Sequence, residues 1–106
     1  MGAEDDILLA HPKAHVTAMR DAAPESGWRS LDADTHMSVG TLEAAFRCVG
    51  GIVRAVDLVM RGDARNAFVP MRPPGHHAER ETAMGFCFFG NVAIAAKYAI
   101  EHHGLK

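Results

Sequence analysis

The sequence has little of what marks nucleic-acid-binding, membrane-spanning or secreted chains. Its net charge is −2, its isoelectric point is near 6.4, and its 11 lysines and arginines are spread out without a basic run. This charge pattern gives no electrostatic basis for binding nucleic acid or a membrane surface. No apolar stretch reaches the roughly 18 residues of a membrane-spanning helix, and the acidic start Met1–Asp6 is unlike a signal peptide.

Cysteine is equally scarce, with only Cys48 and Cys87 in the chain. Neither belongs to a Cys-x-x-Cys pair or has the spacing of a metal site. Two cysteines in a mildly acidic chain predict reduced thiols and a cytoplasmic location. Because Cys87 lies between Phe86 and Phe88, a buried thiol is favoured over a catalytic nucleophile.

The pattern of apolar residues, 48% of the 106, predicts a mostly helical chain with one clear strand. The predicted helices are Glu4–Ala10, Pro12–Ala22, Thr41–Met60 and Asn91–His103, and the predicted strand is the apolar run Ala67–Met71. A buried strand of parallel-sheet character needs neighbours on both sides to pair its backbone groups. The sequence therefore predicts an α/β fold of which it contains only a part.

Two further predictions concern helix ends. Ser38 or Thr41 is expected to cap the helix 41–60 through its hydroxyl. His102 and His103 lie in the last turn of the final helix, where positive charge suits the helix dipole, and they are interpreted as capping residues and not as ligands.

The stretch Arg72–Asn91 carries the residues of greatest chemical interest. A Pro-Pro pair at its start removes two backbone donors and ends the preceding strand. Gly75 then allows a tight curl that lets the adjacent His76 and His77 face one small volume. Two imidazoles placed together can carry protons near neutral pH, and a loop between rigid elements is a common position for an active site.

On spacing alone, the histidine pair has other interpretations. A solvated or hydrogen-bonded pair is the commonest one. A metal site is another, but zinc takes three or four protein ligands and nothing nearby supplies the rest. His11 and His15 are four residues apart in a predicted helix and lack a third ligand as well, so surface or packing roles are favoured. A small metal-binding protein that uses these histidines stays a rival interpretation.

Three strings of residues resemble the histone deacetylase family, including its bacterial deacetylase-like and acetylpolyamine amidohydrolases. Arg-Pro-Pro-Gly-His-His-Ala-Glu starts at Arg72, Met-Gly-Phe-Cys-Phe-Phe at Met84, and Asn-Val-Ala-Ile-Ala-Ala at Asn91. The resemblance covers nearly the whole chain, although Gly90 stands where the family usually has a second Asn. It implies an arginase-like open parallel sheet with flanking helices, with residues 1–106 forming part of a single deacetylase domain.

The resemblance also implies an activity, the metal-dependent hydrolysis of acetyl-lysine or related acetylated amines. In the family, tandem histidines take a proton from the attacking water and later protonate the leaving amine. These roles carry over to His77 as the principal base and acid, and to His76 as electrostatic support. The implied cofactor is zinc, with ferrous iron as the alternative.

Three more residues acquire implied roles in binding the substrate. Composition alone makes Asp32–Thr35 a turn ahead of a helix. The resemblance places Asp34 on the rim of the site, where its carboxylate would accept hydrogen bonds from backbone amides of the substrate. It places Gly85 and Phe86 along the tunnel that holds the substrate's alkyl chain.

The same resemblance implies that parts of the domain are missing from these 106 residues. The family's opening strand is expected before Met1, and its metal ligands, including an Asp-x-His, after Lys106. The chain is therefore interpreted as an N-proximal fragment of a deacetylase. The alternative is a catalytically inactive interaction module or a piece of a split enzyme that docks on a partner chain.

Overall fold

The computed structural model describes residues 2–106, which form four helices and two short strands. In chain order these are α1 (Glu4–Ile7), α2 (Lys13–Ala22), β1 (Trp28–Ser30), β2 (His36–Ser38), α3 (Thr41–Met60) and α4 (Asn91–His103). Among these residues, none of the helices combines the length and the apolar character needed to cross a bilayer.

Three of the four predicted helices are confirmed almost to the residue, whereas α1 ends at Ile7, three residues before its predicted end. α3 and α4 have the predicted bounds, and α2 begins one residue later than predicted, with Pro12 as its N-cap. Gly104, at φ 67°, provides the left-handed residue that ends α4. Apolar periodicity over ten or more residues is a strong local signal, which explains the agreement.

The predicted cap of α3 is wrong. The residue before this helix is Gly40, at φ 94°, and no side chain caps the first turn. The hydroxyl of Thr41 instead accepts the backbone N–H of Ser38 at 2.9 Å. This hydroxyl therefore stabilises the turn that leads into the helix and leaves the first turn uncapped.

His102 and His103 lie in the last turn of α4 as predicted, where both rings also make contacts with side chains, and their interaction with the helix dipole stays a prediction. The Nε2 of His103 lies 2.8 Å from the Oδ1 of Asp57 on α3. The ring of His102 stacks on Tyr98, with ring centroids 4.2 Å apart. The Tyr98 hydroxyl also donates to Asp57 at 3.0 Å, so Tyr98 and His103 hold the C-terminal part of α4 against α3, whereas the stacking of His102 on Tyr98 is internal to α4.

The core lies where α2, α3 and α4 meet the segment that precedes α4. Phe89, 1% exposed, stands at its centre and meets the rings of His11, His15 and Phe46 edge-on. Burying an aromatic side chain in this way contributes roughly 1.5–3 kcal/mol. The largest other apolar side chains that are fully buried are Ile7, Val16, Met37, Val49 and Ile94.

The predicted strand Ala67–Met71 does not form. The segment has no regular secondary structure, and the side chain of Phe68 is 88% exposed. Met71 packs against α3. Its sulfur occupies the space that a Cβ would need at Gly51. Within residues 2–106 no strand lies beside this segment, so its backbone has no ladder to join.

The sheet that does form lies on either side of the turn predicted for Asp32–Thr35. β1 and β2 pair antiparallel, with Trp28 opposite Ser38 and Ser30 opposite His36. The turn predicted for Asp32–Thr35 is confirmed and connects the two strands. Strands of three residues, one of them exposed throughout, leave too little alternation to be read from a sequence.

Candidate active site

The two imidazoles of the histidine loop lie together as predicted, but not because Gly75 adopts a conformation closed to other residues, since its φ is not positive. Gly75 is buried against α4, where a Cβ would overlap the side chain of Asn91. The rings of His76 and His77 lie together, with centroids 4.2 Å apart and planes inclined by 55°, and both residues are exposed. The expected proximity of the two imidazoles is therefore found, while their catalytic roles stay a prediction.

Gly85 and Phe86 lie directly against this loop. Met84 and Cys87 exchange two backbone hydrogen bonds of 3.0 and 2.9 Å, which close a tight turn around the Gly-Phe pair. Both residues of the pair have positive φ, 58° for Gly85 and 68° for Phe86. A Cβ on Gly85 would come within 2.7 Å of the Cβ and Cγ of His77, so glycine is what allows this close approach.

The side chain of Cys87 connects the histidine loop with the Gly-Phe turn. Its thiol is fully buried, accepts the backbone N–H of His77 at 3.3 Å, and donates to the carbonyl of Gly85 at 3.4 Å. The expected burial of Cys87 is confirmed. The sequence does not reveal that this thiol bonds both the histidine loop and the Gly-Phe turn.

Thr35 brings the Asp32–Thr35 turn to the same place. Its buried hydroxyl accepts the backbone N–H of Phe86 at 3.1 Å. Asp32 supports the turn by accepting the N–H groups of Asp34 and Thr35, and these hydrogen bonds, that of Asp34 first, lower the pKa of the Asp32 carboxyl below 3.8. The exposed Asp34 thus sits in a turn that is bonded to Phe86.

Thr35 is a site residue that the sequence reasoning missed. It contacts Phe86 across 51 positions, and no local pattern reports a contact at that separation. The only available signal was its place in the Asp-Ala-Asp-Thr string.

Two hollows open beside the candidate site. One, of about 280 Å³, lies next to Phe86 and includes the exposed His36 in its lining. The other, of about 220 Å³, is lined in part by His76, Gly75 and Asn91. Among residues 2–106, His77 is not part of the lining of either hollow. Its ring lies against Gly85 instead.

The metal that the family resemblance implies finds no set of ligands here. Within residues 2–106, no group of three or more histidine, cysteine or acidic side chains is arranged to hold a metal ion. His11 and His15 use their ring nitrogens for hydrogen bonds to backbone groups, so the packing role expected for them is confirmed. The rival interpretation as a small histidine-based metal protein has no support in this geometry, and no catalytic step is assigned to a metal.

The fold and the loop arrangement are those of a histone deacetylase domain, and the chain belongs to that family. The family model described as the histone deacetylase domain matches residues 2–106. The solved structure of the HDA15 HD domain superposes with a TM-score of 0.86 at 30% identity, covering 92% of this chain and 28% of that one. The predicted family and fold class are thereby confirmed.

Curated relatives agree. A histone deacetylase-like amidohydrolase from Pseudomonas aeruginosa is 40% identical over 103 residues, which is 97% of this chain and 27% of the relative. The polyamine deacetylase HDAC10 of Danio rerio is 37% identical over 109 residues, covering 97% of this chain and 16% of its own length. The chain thus spans about a quarter or less of the length of these relatives.

Proposed function

We propose that this chain forms the proton-transfer and substrate-contacting part of a deacetylase that hydrolyses acetyl-lysine or a related acetylated amine. The observation that carries the proposal is the contact between His77 and Gly85, beside a second imidazole 4.2 Å away. It brings two proton carriers against a Gly-Phe turn suited to an alkyl chain. Membership of the family supplies the reaction class.

His77 acts as the general base and then as the general acid. It accepts a proton from the water that attacks the acetyl carbonyl carbon, and it returns a proton to the amine nitrogen as the C–N bond breaks. The ring of His76 lies beside that of His77 and gives electrostatic support as His77 gains and loses its proton. Because both residues are exposed within residues 2–106, a substrate amide can approach them.

Asp34, Gly85 and Phe86 hold the substrate in this proposal. The aromatic face of Phe86, 60% exposed, packs along the substrate's methylene groups, while Gly85 keeps the space beside His77 open. The exposed carboxylate of Asp34 accepts backbone N–H groups of a peptide substrate. The hydrogen bond from the N–H of Phe86 to Thr35 keeps the turn that carries Asp34 near the tunnel residue.

We further propose that zinc, with ferrous iron as the alternative, is bound by residues outside 2–106, and that the protein acts in the cytoplasm. The described residues provide no ligand set of their own. The length of the relatives leaves room for one, since the chain corresponds to about a quarter of the Pseudomonas protein.

The proposal predicts that His77→Ala in a complete enzyme containing this chain abolishes measurable turnover, because a positioned acid–base group contributes about 10²–10⁴-fold. Steady-state deacetylation of an acetyl-lysine peptide is the measurement, with elemental analysis expected to show unchanged zinc. His102→Ala, which removes an exposed histidine of α4 that stacks on Tyr98, is the matched control and should retain activity. Wild-type turnover by the His77→Ala protein would exclude the assigned role.

A second candidate is a catalytically inactive piece that docks on a partner chain carrying the rest of a deacetylase domain. The observation that favours it is an apolar groove of about 630 Å³ between α3, the segment 65–69 and α4, with the exposed Phe68 in its wall. Size-exclusion chromatography distinguishes the two functions. A stable complex without deacetylase activity supports this second candidate, and an active complex supports the first.

A further inference from the structure

His11 and His15 form a buried pair at the start of α2, well separated in sequence from the candidate site. Their rings stack with centroids 4.4 Å apart and planes inclined by only 18°, and the residues are 2% and 3% exposed. Buried histidines require hydrogen-bond partners, because an unpaired polar group loses its bonds to water. The partners of these two rings are therefore informative.

All three hydrogen bonds of the pair go to backbone groups that flank the Gly-Phe turn of the candidate site. The Nδ1–H of His11 donates to the carbonyl of Arg80 at 2.7 Å, and its Nε2 accepts the N–H of Gly90 at 2.8 Å. The Nε2–H of His15 donates to the carbonyl of Phe88 at 2.8 Å. Arg80 follows the histidine loop, and Phe88 and Gly90 follow the Gly-Phe turn.

These bonds assign a tautomer to each ring. His11 must be neutral with its proton on Nδ1, because Nε2 accepts a hydrogen bond. His15 carries a proton on Nε2, and its buried Nδ1 has no hydrogen-bond partner within residues 2–106. An unpaired buried nitrogen costs free energy, which by itself would favour an apolar side chain at position 15. The hydrogen bond from His15 to the carbonyl of Phe88 is the interaction that offsets this cost and favours an imidazole.

We infer that His11 and His15 are positioning residues, which fix both flanks of the Gly85–Phe86 turn that lies against His77. The inference rests on the proposed function for its catalytic meaning, but the positioning itself is a statement about structure. An apolar side chain of similar volume would fill the space and leave the bonded backbone groups without partners. The segment would then be free to shift relative to α2.

The geometry also makes His11 sensitive to acid. Burial, followed by the positive charges of His15 and Arg80, holds the pKa of His11 below 6.5, although the hydrogen bond to the Arg80 carbonyl opposes this. The titratable groups that face His11 are His15 on α2 and Arg80 from the loop, and Phe89 covers both rings edge-on. A proton on Nε2 of His11 would remove the acceptor that Gly90 uses.

The test compares His15→Leu with His15→Gln. The glutamine amide keeps an N–H donor near the position of Nε2, whereas leucine keeps only volume. NMR spectra of the chain should show shifted or broadened signals for the His77 ring and the Gly85 and Phe86 amides in His15→Leu. They should be close to wild type in His15→Gln. Signals of Tyr98, whose hydroxyl bonds Asp57 on α3, should not move in either variant.

In a complete enzyme, His15→Leu should lower kcat/KM at least about tenfold and His15→Gln by no more than about threefold, because small displacements of catalytic groups have effects of this size. Equal loss in the two variants, or unshifted His77, Gly85 and Phe86 signals in His15→Leu, would overturn the inference. The NMR result stands even if His77→Ala proves active, so failure of the proposed function is distinguishable from failure of this inference.

A measurement on the wild-type chain keeps the inference testable if His15→Leu does not fold. Long-range ¹H–¹⁵N correlation spectra at pH 7 should show His11 as the Nδ1–H tautomer and His15 as the Nε2–H tautomer. An Nε2–H or doubly protonated His11 at this pH would contradict the assignment, because Gly90 would then have no acceptor.

Discussion

At the scale of single residues, the candidate site is held by short side chains bonded to backbone groups. The Cys87 thiol bonds the N–H of His77 and the carbonyl of Gly85, and the Thr35 hydroxyl accepts the N–H of Phe86. Each of these hydrogen bonds joins an uncharged side chain to a backbone group. The three contacts that shape the loop are therefore not ion pairs. Glycine at position 85 then sets how closely the turn approaches His77.

Gly85→Ala is expected to lower both stability and activity. The new methyl group would meet the Cβ and Cγ of His77 at 2.7 Å, and the residue would keep a φ of 58° that alanine adopts at a cost of roughly 1–2 kcal/mol. Urea unfolding of the chain and turnover of a complete enzyme are the measurements. We expect a loss of about 1–3 kcal/mol and at least about tenfold lower kcat/KM.

Gly27→Ala is the matched control for this change. Gly27 has a φ of 65°, but a Cβ there meets nothing within 4 Å. It therefore shares the backbone penalty without the contact to His77, and activity should be kept. If Gly27→Ala and Gly85→Ala have the same effect on activity, the contact with His77 is not what requires glycine.

At the scale of elements, one carboxylate of α3 bonds two side chains of α4. Asp57 of α3 accepts hydrogen bonds from the Tyr98 hydroxyl and from Nε2 of His103, both on α4. The hydrogen bond to His103, followed by that to Tyr98, holds the pKa of the Asp57 carboxyl below 3.8, although partial burial opposes the shift. The contribution of this bond is present above pH 3.8 and is lost as the pH falls through the lower folded pKa.

Asp57→Ala should therefore destabilise the chain at neutral pH by roughly 1–3 kcal/mol, because two polar groups on α4 lose their acceptor. Chemical denaturation monitored by circular dichroism is the measurement. Glu43→Ala, which removes the exposed pair with Arg47 on the same helix, is the control and should change stability by less than about 1 kcal/mol. Similar losses in the two variants would show that Asp57 has no special role in joining the helices.

The helices of this fold can be predicted from the sequence, whereas its strands cannot. Helices such as α3 follow from periodicity within one segment, and so their bounds were predictable. The segment Ala67–Met71 has the composition of a strand, but a strand also requires a paired neighbour, which composition does not report. Likewise, the proximity of His76 and His77 follows from their adjacency, whereas the bond between His11 and Gly90 joins residues 79 positions apart.

At the scale of the whole molecule, the chain contains the site segment and its supports but corresponds to about a quarter of the Pseudomonas relative. Its core is centred on Phe89, which packs on the His11–His15 pair. Stability of the whole chain is thereby coupled to the protonation of His11. A change of pH acts on the core and on the site segment together.

The free energy of unfolding is expected to decrease as the pH falls below 6.5. The folded state holds the pKa of His11 under this value, so the unfolded chain binds more protons, and stability is lost between 6.5 and the lower folded pKa. Urea unfolding at pH 8, 7, 6 and 5 measures the effect. His11→Gln, which has no ionisable ring, should show a smaller slope over the same range, and an unchanged slope would assign the effect to other groups.

The exposure of Phe68 has a consequence for any preparation of this polypeptide. The side chain of Phe68 is 88% exposed, so the roughly 1.5–3 kcal/mol that burial of a phenylalanine contributes is not gained. The same side chain lines an apolar groove. Such surfaces promote self-association at high concentration. Self-association of the isolated segment at high concentration is therefore expected to involve the groove beside residues 65–69.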